Sequence, residues 1–456
     1  MPRIWKSAYV TPIYKKGPRD QVDNYRPISK LCLFAKVLER IVYDQLYAAL
    51  KHTLSFQQHG FVKGRSTTTN LILCTDYLSE HMSEPSQVDV VYIDYSKCFD
   101  RIDHLLLLHK IQSVGIRGNL YRWFTSYVQN RSQTVALNGY TSKAMPIPSG
   151  VPQGSLLGPL LFNIFVNDII ICFKYSKILL YADDMKILSP ITSLESAYHL
   201  QEDLGRFENY CLYNKLDLNV SKCYICTYTR KTKPIIFRYT IKHIDITRVN
   251  TIRDLGVIFD SKLLFNKHID NIINKASKAL GFILRMSSDF NSIKTFKILY
   301  CAFVRSHLEY ASQVWNPTYN IYSTRIERIQ KKFLRYLQFR VKIFLPNYTT
   351  RCRKFHILPL YERRRIADLS FLINIANSTI DCPELLEQIR LQVPYASSRK
   401  PCKLYVPGVN TNYRQNSYLI RVSKCFNDVA KIQNVDLFNT SSRQLKRLLS
   451  NKFFVY

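Results

Sequence analysis

Two adjacent carboxylates, Asp183 and Asp184, interrupt the apolar stretch ILLYADDMKIL at residues 178–188. Like charges held this close between strand-forming segments resist joint ionisation unless a cation neutralises them, so the pattern suits a divalent metal. An ordinary polar hairpin tip would use the same residues, since Asp is a common turn former. A third carboxylate, Asp94, ends the strand-like run VDVVYID at 88–94. Hard ions such as Mg2+ take oxygen ligands, and two-metal phosphoryl transfer needs carboxylates converging from separate elements. Asp94 and the Asp183 and Asp184 pair have that character although 89 residues separate Asp94 from Asp183.

The elements that must position these groups are legible in outline. A strand at 88–94 delivers Asp94, and a buried hairpin carries Asp183 and Asp184 at its turn. Apolar residues Leu31, Phe34, Val37, Leu38, Ile41, Val42 and Leu46 recur at helical spacing and predict a core-facing helix. In QQHGFVKGRSTTTNLI, Gly60 and Gly64 bracket Lys63 and Arg65 ahead of a helix that the Ser66 to Asn70 run caps. A glycine-spaced basic pair before a helix N-terminus suits a triphosphate. Strands at 132–137 and 143–148 flank the Asn138-Gly139 turn and lead into SGVPQGSLLGPLL, a tight loop feeding a buried helix at 156–173. A helix at 193–212, the turn LNVSK with Lys222, and a hairpin at 251–264 follow. The pattern then turns helical, which marks a boundary near residue 265.

Composition narrows the partner. Hydrophobic residues make up 46% of the 456 and Gly and Pro are sparse, so the chain folds around sizeable cores in more than one domain. Its net charge of +32 exceeds what solubility needs and points to a polyanion, nucleic acid first. A membrane is disfavoured: no polybasic run adjoins a long amphipathic segment, and the most apolar window holds Gly158, Pro159, Asn163, Asn167 and Asp168. The start, MPRIWKSAYV, lacks a signal peptide's apolar region, which predicts an intracellular protein of cytoplasm and nucleus. Twelve scattered cysteines, with no second pair to match Cys223 and Cys226, predict reduced thiols and no zinc site. Residues 325–456 hold 25 Lys or Arg against 8 Asp or Glu, a net +17.

Taken together, VVYIDYSKCFDRIDH, PSGVPQGSLLGPLLFNIFVNDI, YADD, LNVSK and LGVIFDSKL resemble, in order and spacing, the palm motifs of reverse transcriptases of non-LTR (LINE-type) retrotransposons. NYRPIS and QQHGFVKGRST are similar to that family's fingers, and LYCAFVRSHLEYASQVWNP to the thumb of its jockey-like branch. The resemblance implies an α+β right-hand polymerase with an antiparallel palm sheet: fingers and palm at 1–265, a helical thumb at 266–320 and a basic, mostly helical nucleic-acid-binding region at 321–456. It implies an RNA-directed DNA polymerase using two Mg2+ ions, or Mn2+, with RNA template, DNA primer or target DNA and dNTPs as partners. The oligomeric state stays open. Asp94, Asp183 and Asp184 would hold the metals. Phe99 would lie under the sugar of the incoming nucleotide, Gln153 and Gly154 beside the nascent pair, Lys222 near the leaving pyrophosphate, Lys63 and Arg65 at the triphosphate, and Tyr181 among the substrate-binding residues. Elements of this kind usually encode an endonuclease upstream, and no RNase H carboxylate set is evident. Two alternatives stand beside this reading. An RNA-dependent RNA polymerase of the same right-hand fold tends to carry Asp where Phe99 stands and Gly where Ala182 stands. A non-enzymatic RNA-binding remnant would be expected to have lost an acidic residue.

Overall fold

The computed structural model describes residues 1–82, 86–287, 289–393, 403–433 and 435–455. Part of the basic C-terminal region, at 394–402, 434 and 456, thus lies outside the described residues. The chain forms two compact units, one of Met1–Val62, Asp89–Ile225 and Ile235–Arg248, the other of Lys63–Val88, Cys226–Pro234 and Val249–Tyr456.

Strands are numbered in chain order: β1 (Ser7–Tyr14), β2 (Tyr25–Lys30), β3 (Gln87–Ile93), β4 (Arg131–Leu137), β5 (Tyr140–Thr141) and β6 (Met145–Ile147). There follow β7 (Lys177–Tyr181), β8 (Asp184–Ile191), β9 (Tyr224–Thr229), β10 (Thr240–Ile241), β11 (Ile244–Asp245) and β12 (Thr247–Arg248). One sheet runs β2-β1-β4-β5, with β6 on β4, and a second runs β12-β9-β3-β8-β7. β10 and β11 form a separate hairpin. β3 is buried at every position, as its unbroken apolar run requires when both faces are covered. Its one acidic residue, Asp89, is satisfied by the Tyr239 hydroxyl at 3.0 Å and by Arg248 at 3.6 Å.

The second sheet is not antiparallel throughout. β7 and β8 pair antiparallel through a two-residue turn, but β12 runs parallel to β9. The chain between them folds into the β10–β11 hairpin and returns in the original direction, the kind of long connection a parallel pair needs.

Two helices differ from their sequence patterns. In the helix Leu33–Leu50, Phe34, Val37 and Ile41 are exposed while Glu39 is fully buried. The cause is polar: the Glu39 carboxylate accepts from the Leu156 amide at 2.7 Å and from the Tyr127 hydroxyl at 3.0 Å, which rotates the helix toward Ala35, Glu39 and Leu46. The expected buried helix at 156–173 ends at Phe165 and continues as a 3-10 turn, Asn167–Cys172, with Ile171 exposed.

The other unit contains the capped helix Thr67–His81, in which the Ser66 hydroxyl accepts from the Thr69 amide, and a hairpin of Thr251–Asp254 and Val257–Asp260. The long helices Asn266–Met286, Asn320–Val341, Leu360–Ala376, Tyr418–Gln433 and Ser442–Val455 make up much of the rest. Its core includes the stacked rings of Tyr300 and Phe333, 4.1 Å apart. Among the described residues the eleven cysteines form no disulfide. Among the described residues no helix is long and apolar enough to cross a membrane.

Candidate active site

All the acidic candidates fall in the first unit. Asp94 follows directly on β3, and its carbonyl accepts from the Asn219 amide at 2.9 Å. Tyr95 bridges antiparallel to Leu218, and the Ser96 amide donates to Asp217. This pairing brings in the short turn Val220–Lys222, so that the Lys222 ammonium stands 3.9 Å from the Asp94 carboxylate.

Ala182 and Asp183 form the turn of the β7–β8 hairpin, with Tyr181 opposite Asp184. Ala182 is held at φ +56°, where a Cβ is unfavourable. Asp183 and Asp184 are exposed at the tip, yet protein crowds Asp183 from below. Burial is the main cause that holds its carboxyl above the usual range, and the negative charge of Asp94 adds to the effect. A backbone hydrogen bond, the Cys98 thiol and the positive charge of Arg26 act in the opposite direction. Burial, then Asp183, push the Cys98 thiol up in turn. The negative charge of Asp94 therefore reaches Asp183 and, after burial, makes its ionisation harder. Oxygen ligands that resist joint ionisation fit a hard divalent cation.

The turn after Asp94 is bound tightly. Lys97 sits at φ +53° and forms an ion pair with Asp23 at 2.8 Å, which ties this turn to the segment joining β1 and β2. The Phe99 ring is half-buried, stacked on Phe162 at 4.4 Å and edge-on to Phe61 at 6.2 Å. The Phe99 carbonyl accepts from the Val151 amide, so the loop bearing Gln153 is joined to the turn bearing Phe99. Asp100 receives the Gln153 side-chain amide at 2.8 Å, and the Ser29 amide donates to the Gln153 carbonyl at the same distance. Gly154, at φ +133°, passes so close to Ser29 that a Cβ would stand 2.4 Å from its carbonyl oxygen.

The hairpin tip has a support that residue chemistry did not advertise. The Gln58 side-chain oxygen accepts from the Ala182 amide at 2.9 Å and from the Gly60 amide at 2.8 Å. Backbone bonds between His59 and Leu180 and between Leu180 and Gln57 hold residues 57–59 along β7. Gly60 lies so close that a Cβ would meet the Ala182 nitrogen at 2.2 Å. Asn163 donates to the Gly60 carbonyl at 2.9 Å, and Asn167 accepts from the Ser55 amide and donates to the Thr53 carbonyl. The asparagines that interrupt the apolar window thus anchor the segment that braces the aspartates.

Arg26, on β2, is the other residue missed, one basic side chain in a basic loop until its charge is found acting on Asp183. Lys63 and Arg65 belong to the other unit, where Arg65 donates to the Asp381 carbonyl at 3.0 Å and the Gly64 carbonyl accepts from the Asp381 amide.

Residues 13–284 match the family model described as reverse transcriptase (RNA-dependent DNA polymerase). The chain belongs to the reverse transcriptase family. Within it the similarity runs to the jockey-like, non-LTR branch. The RNA-directed DNA polymerase from mobile element jockey of Drosophila melanogaster is 31% identical over 283 residues, covering 59% of this chain and 31% of that protein. The jockey polymerase of Drosophila funebris is 28% identical over 352 residues, covering 73% and 38%. The chain thus spans about a third of the length of these curated relatives. Among solved structures, apo telomerase from Candida tropicalis superposes with a TM-score of 0.44 at 12% identity, covering 77% of this chain and 61% of that one. Reverse transcriptases generally use divalent metal ions, and in this member the acidic group lies inside the matched region.

Proposed function

We propose that this chain is an RNA-directed DNA polymerase that copies a retrotransposon RNA into DNA. The observation that carries this reading is Asp94 at the end of β3 with the Lys222 ammonium 3.9 Å away, in the same unit as the hairpin turn of Asp183 and Asp184, in a chain of this family. Asp94, Asp183 and Asp184 would hold two Mg2+ ions, which lower the cost of deprotonating a primer hydroxyl and neutralise the triphosphate.

The remaining work falls to the chain. Arg26, whose charge reaches Asp183, supplies a cation for the triphosphate. Lys222, with its ammonium protons, compensates charge on the departing pyrophosphate. Phe99, backed by Phe162, presents a fixed ring to the sugar, while Gln153, Gly154 and Tyr181 border the nascent base pair. For Lys63 and Arg65 the triphosphate assignment rests on the sequence motif alone. In the same reading 1–265 act as fingers and palm, 266–320 as thumb, and 321–456 contact RNA template and DNA through phosphates, since charge is what that region offers.

The test is primer extension on an RNA template with dNTPs and Mg2+. Template-length DNA that disappears on chelation of the metal supports the reading. Metal-replete, folded protein that binds RNA but extends nothing would make it a non-enzymatic RNA-binding remnant.

A further inference from the structure

One corner of the second unit is out of keeping with a merely solvated basic surface. The helix Asn320–Val341 buries Ile326, Gln330, Phe333, Leu334 and Leu337, a regular core-facing stripe. Phe339 lies two residues beyond Leu337, on the opposite side by helical geometry, and is 77% exposed. Phe344, just past the helix end, is 85% exposed. The two are brought near each other by a left-handed cap: Lys342 sits at φ +53°, and its amide donates to the Phe339 carbonyl. Arg351 fixes the far side, donating to the Gln338 side chain at 3.1 Å and to the Leu345 carbonyl at 3.2 Å. These residues, with Arg335, line one shallow groove.

Charge identifies the occupant. Between Glu327 and Glu362 there is no carboxylate, while nine Lys or Arg occur there. Lys332, Arg335 and Phe339 follow one another along the helix at spacings of three and four residues, with Lys342 at the cap, so the Phe339 ring is set among cations and Phe344 follows two residues past the last of them. Two exposed phenylalanines close in sequence among Lys and Arg call for a partner with flat apolar faces and negative charge. Unpaired nucleotides offer both, because every base has a face that stacks on an aromatic ring and every linkage carries a phosphate.

We propose that Phe339 and Phe344 form a stacking platform for single-stranded RNA, flanked by Arg335 and Lys342 as phosphate contacts. This goes beyond the phosphate-only binding assigned above to the C-terminal region, while resting on the reading that the chain handles RNA. It also separates two energetic signatures. Stacking lowers affinity when lost without altering counterion release, whereas loss of a phosphate contact lowers the salt slope by about 0.7 per charge on a single strand.

The experiment is equilibrium binding of the full chain to a fluorescein-labelled, unstructured 20-nucleotide RNA across a salt series. Phe339→Ala and Phe344→Ala should each weaken binding roughly tenfold with the salt slope unchanged. Phe344→Trp should retain affinity and Phe344→Leu should not. Arg335→Gln should instead flatten the slope, and binding to duplex RNA should be indifferent to the two rings. Because both rings are exposed, the variants should melt with the wild type. Wild-type affinity in the Phe339→Ala, Phe344→Ala double variant would overturn the proposal. So would a loss confined to anionic vesicles or to self-association, which would make the rings a membrane or protein contact. Primer extension at saturating template is read separately, so failure here leaves the polymerase assignment standing.

Discussion

The Gln58 side-chain oxygen accepts from the Ala182 amide at 2.9 Å, and so reaches across 124 residues to hold the turn that carries Asp183. Ala182 occupies left-handed backbone space at φ +56°, a conformation costing about 1 kcal/mol or more for a residue with a Cβ. Gln58 and its segment therefore over-determine a turn that would otherwise relax. Gln58→Met keeps the side-chain length and removes the acceptor, leaving the Ala182 and Gly60 amides without it at a cost of about 1–3 kcal/mol each. Primer extension should fall at least tenfold with RNA affinity unchanged. Adding Ala182→Gly, which removes the backbone penalty, should restore part of the loss. Equal, additive losses in the double variant would show that Gln58 does not act through the turn.

Phe99 carries the choice of sugar in this account. Its ring cannot retreat easily, being stacked on Phe162, so a 2′-hydroxyl placed against it would clash. Phe99→Val should raise incorporation of ribonucleotides far more than it lowers that of deoxynucleotides. The readout is the ratio of kcat/KM for dNTP over rNTP. Equal slowing of both substrates would reduce Phe99 to a packing residue.

A pH effect on stability should come from the second unit. His268 is buried, its Nδ1 accepts from the Ile258 amide at 3.2 Å, and its ring lies 5.2 Å from that of Trp315. Burial first, then the charges of Lys275 and Arg253, lower its pKa from 6.5 to about 4. Between those values the unfolded chain binds the proton and the folded chain does not. His268 therefore costs nothing above about pH 6.5, and stability drains away as pH falls toward 4, by roughly 3 kcal/mol in all. His268→Gln, which keeps an acceptor for Ile258, should show a shallower fall in Tm between pH 7 and pH 4.5. Parallel Tm curves for the two proteins would contradict the assignment.

What could be read from residues alone, and what could not, divides along physical lines. Elements with a strong local signal were legible: the unbroken apolar run of β3, the Asn138-Gly139 turn, now at φ +50° and +84°, and the Ser66 cap, which accepts from an amide three residues on. Asp94 and Asp183 stood out because carboxylates at strand ends are costly without a cation. Gln58 did not, since an amide has no distinctive chemistry until its two donors are seen. Arg26 was hidden among other exposed basic residues. The orientation of the Leu33–Leu50 helix was misread because apolar residues occur around most of its circumference, and the partners of Glu39 lie about 90 and 120 residues away. Periodicity reports that a helix has an apolar face; long-range polar contacts decided which face was buried.

The central claim is that Asp183, beside Asp94, carries catalytic charge and not structure. Asp183→Asn keeps the volume of the side chain and removes its charge, relieving the burial of a charged group first and the repulsion from Asp94 second, so Tm should hold or rise slightly. The decisive measurement is the single-turnover rate of dNTP addition to a primer on RNA, in Mg2+, for wild type and Asp183→Asn of equal Tm. Loss of transition-state charge stabilisation predicts a fall of roughly a thousandfold or more. A folded Asp183→Asn protein extending the primer within a few-fold of the wild-type rate would contradict the account.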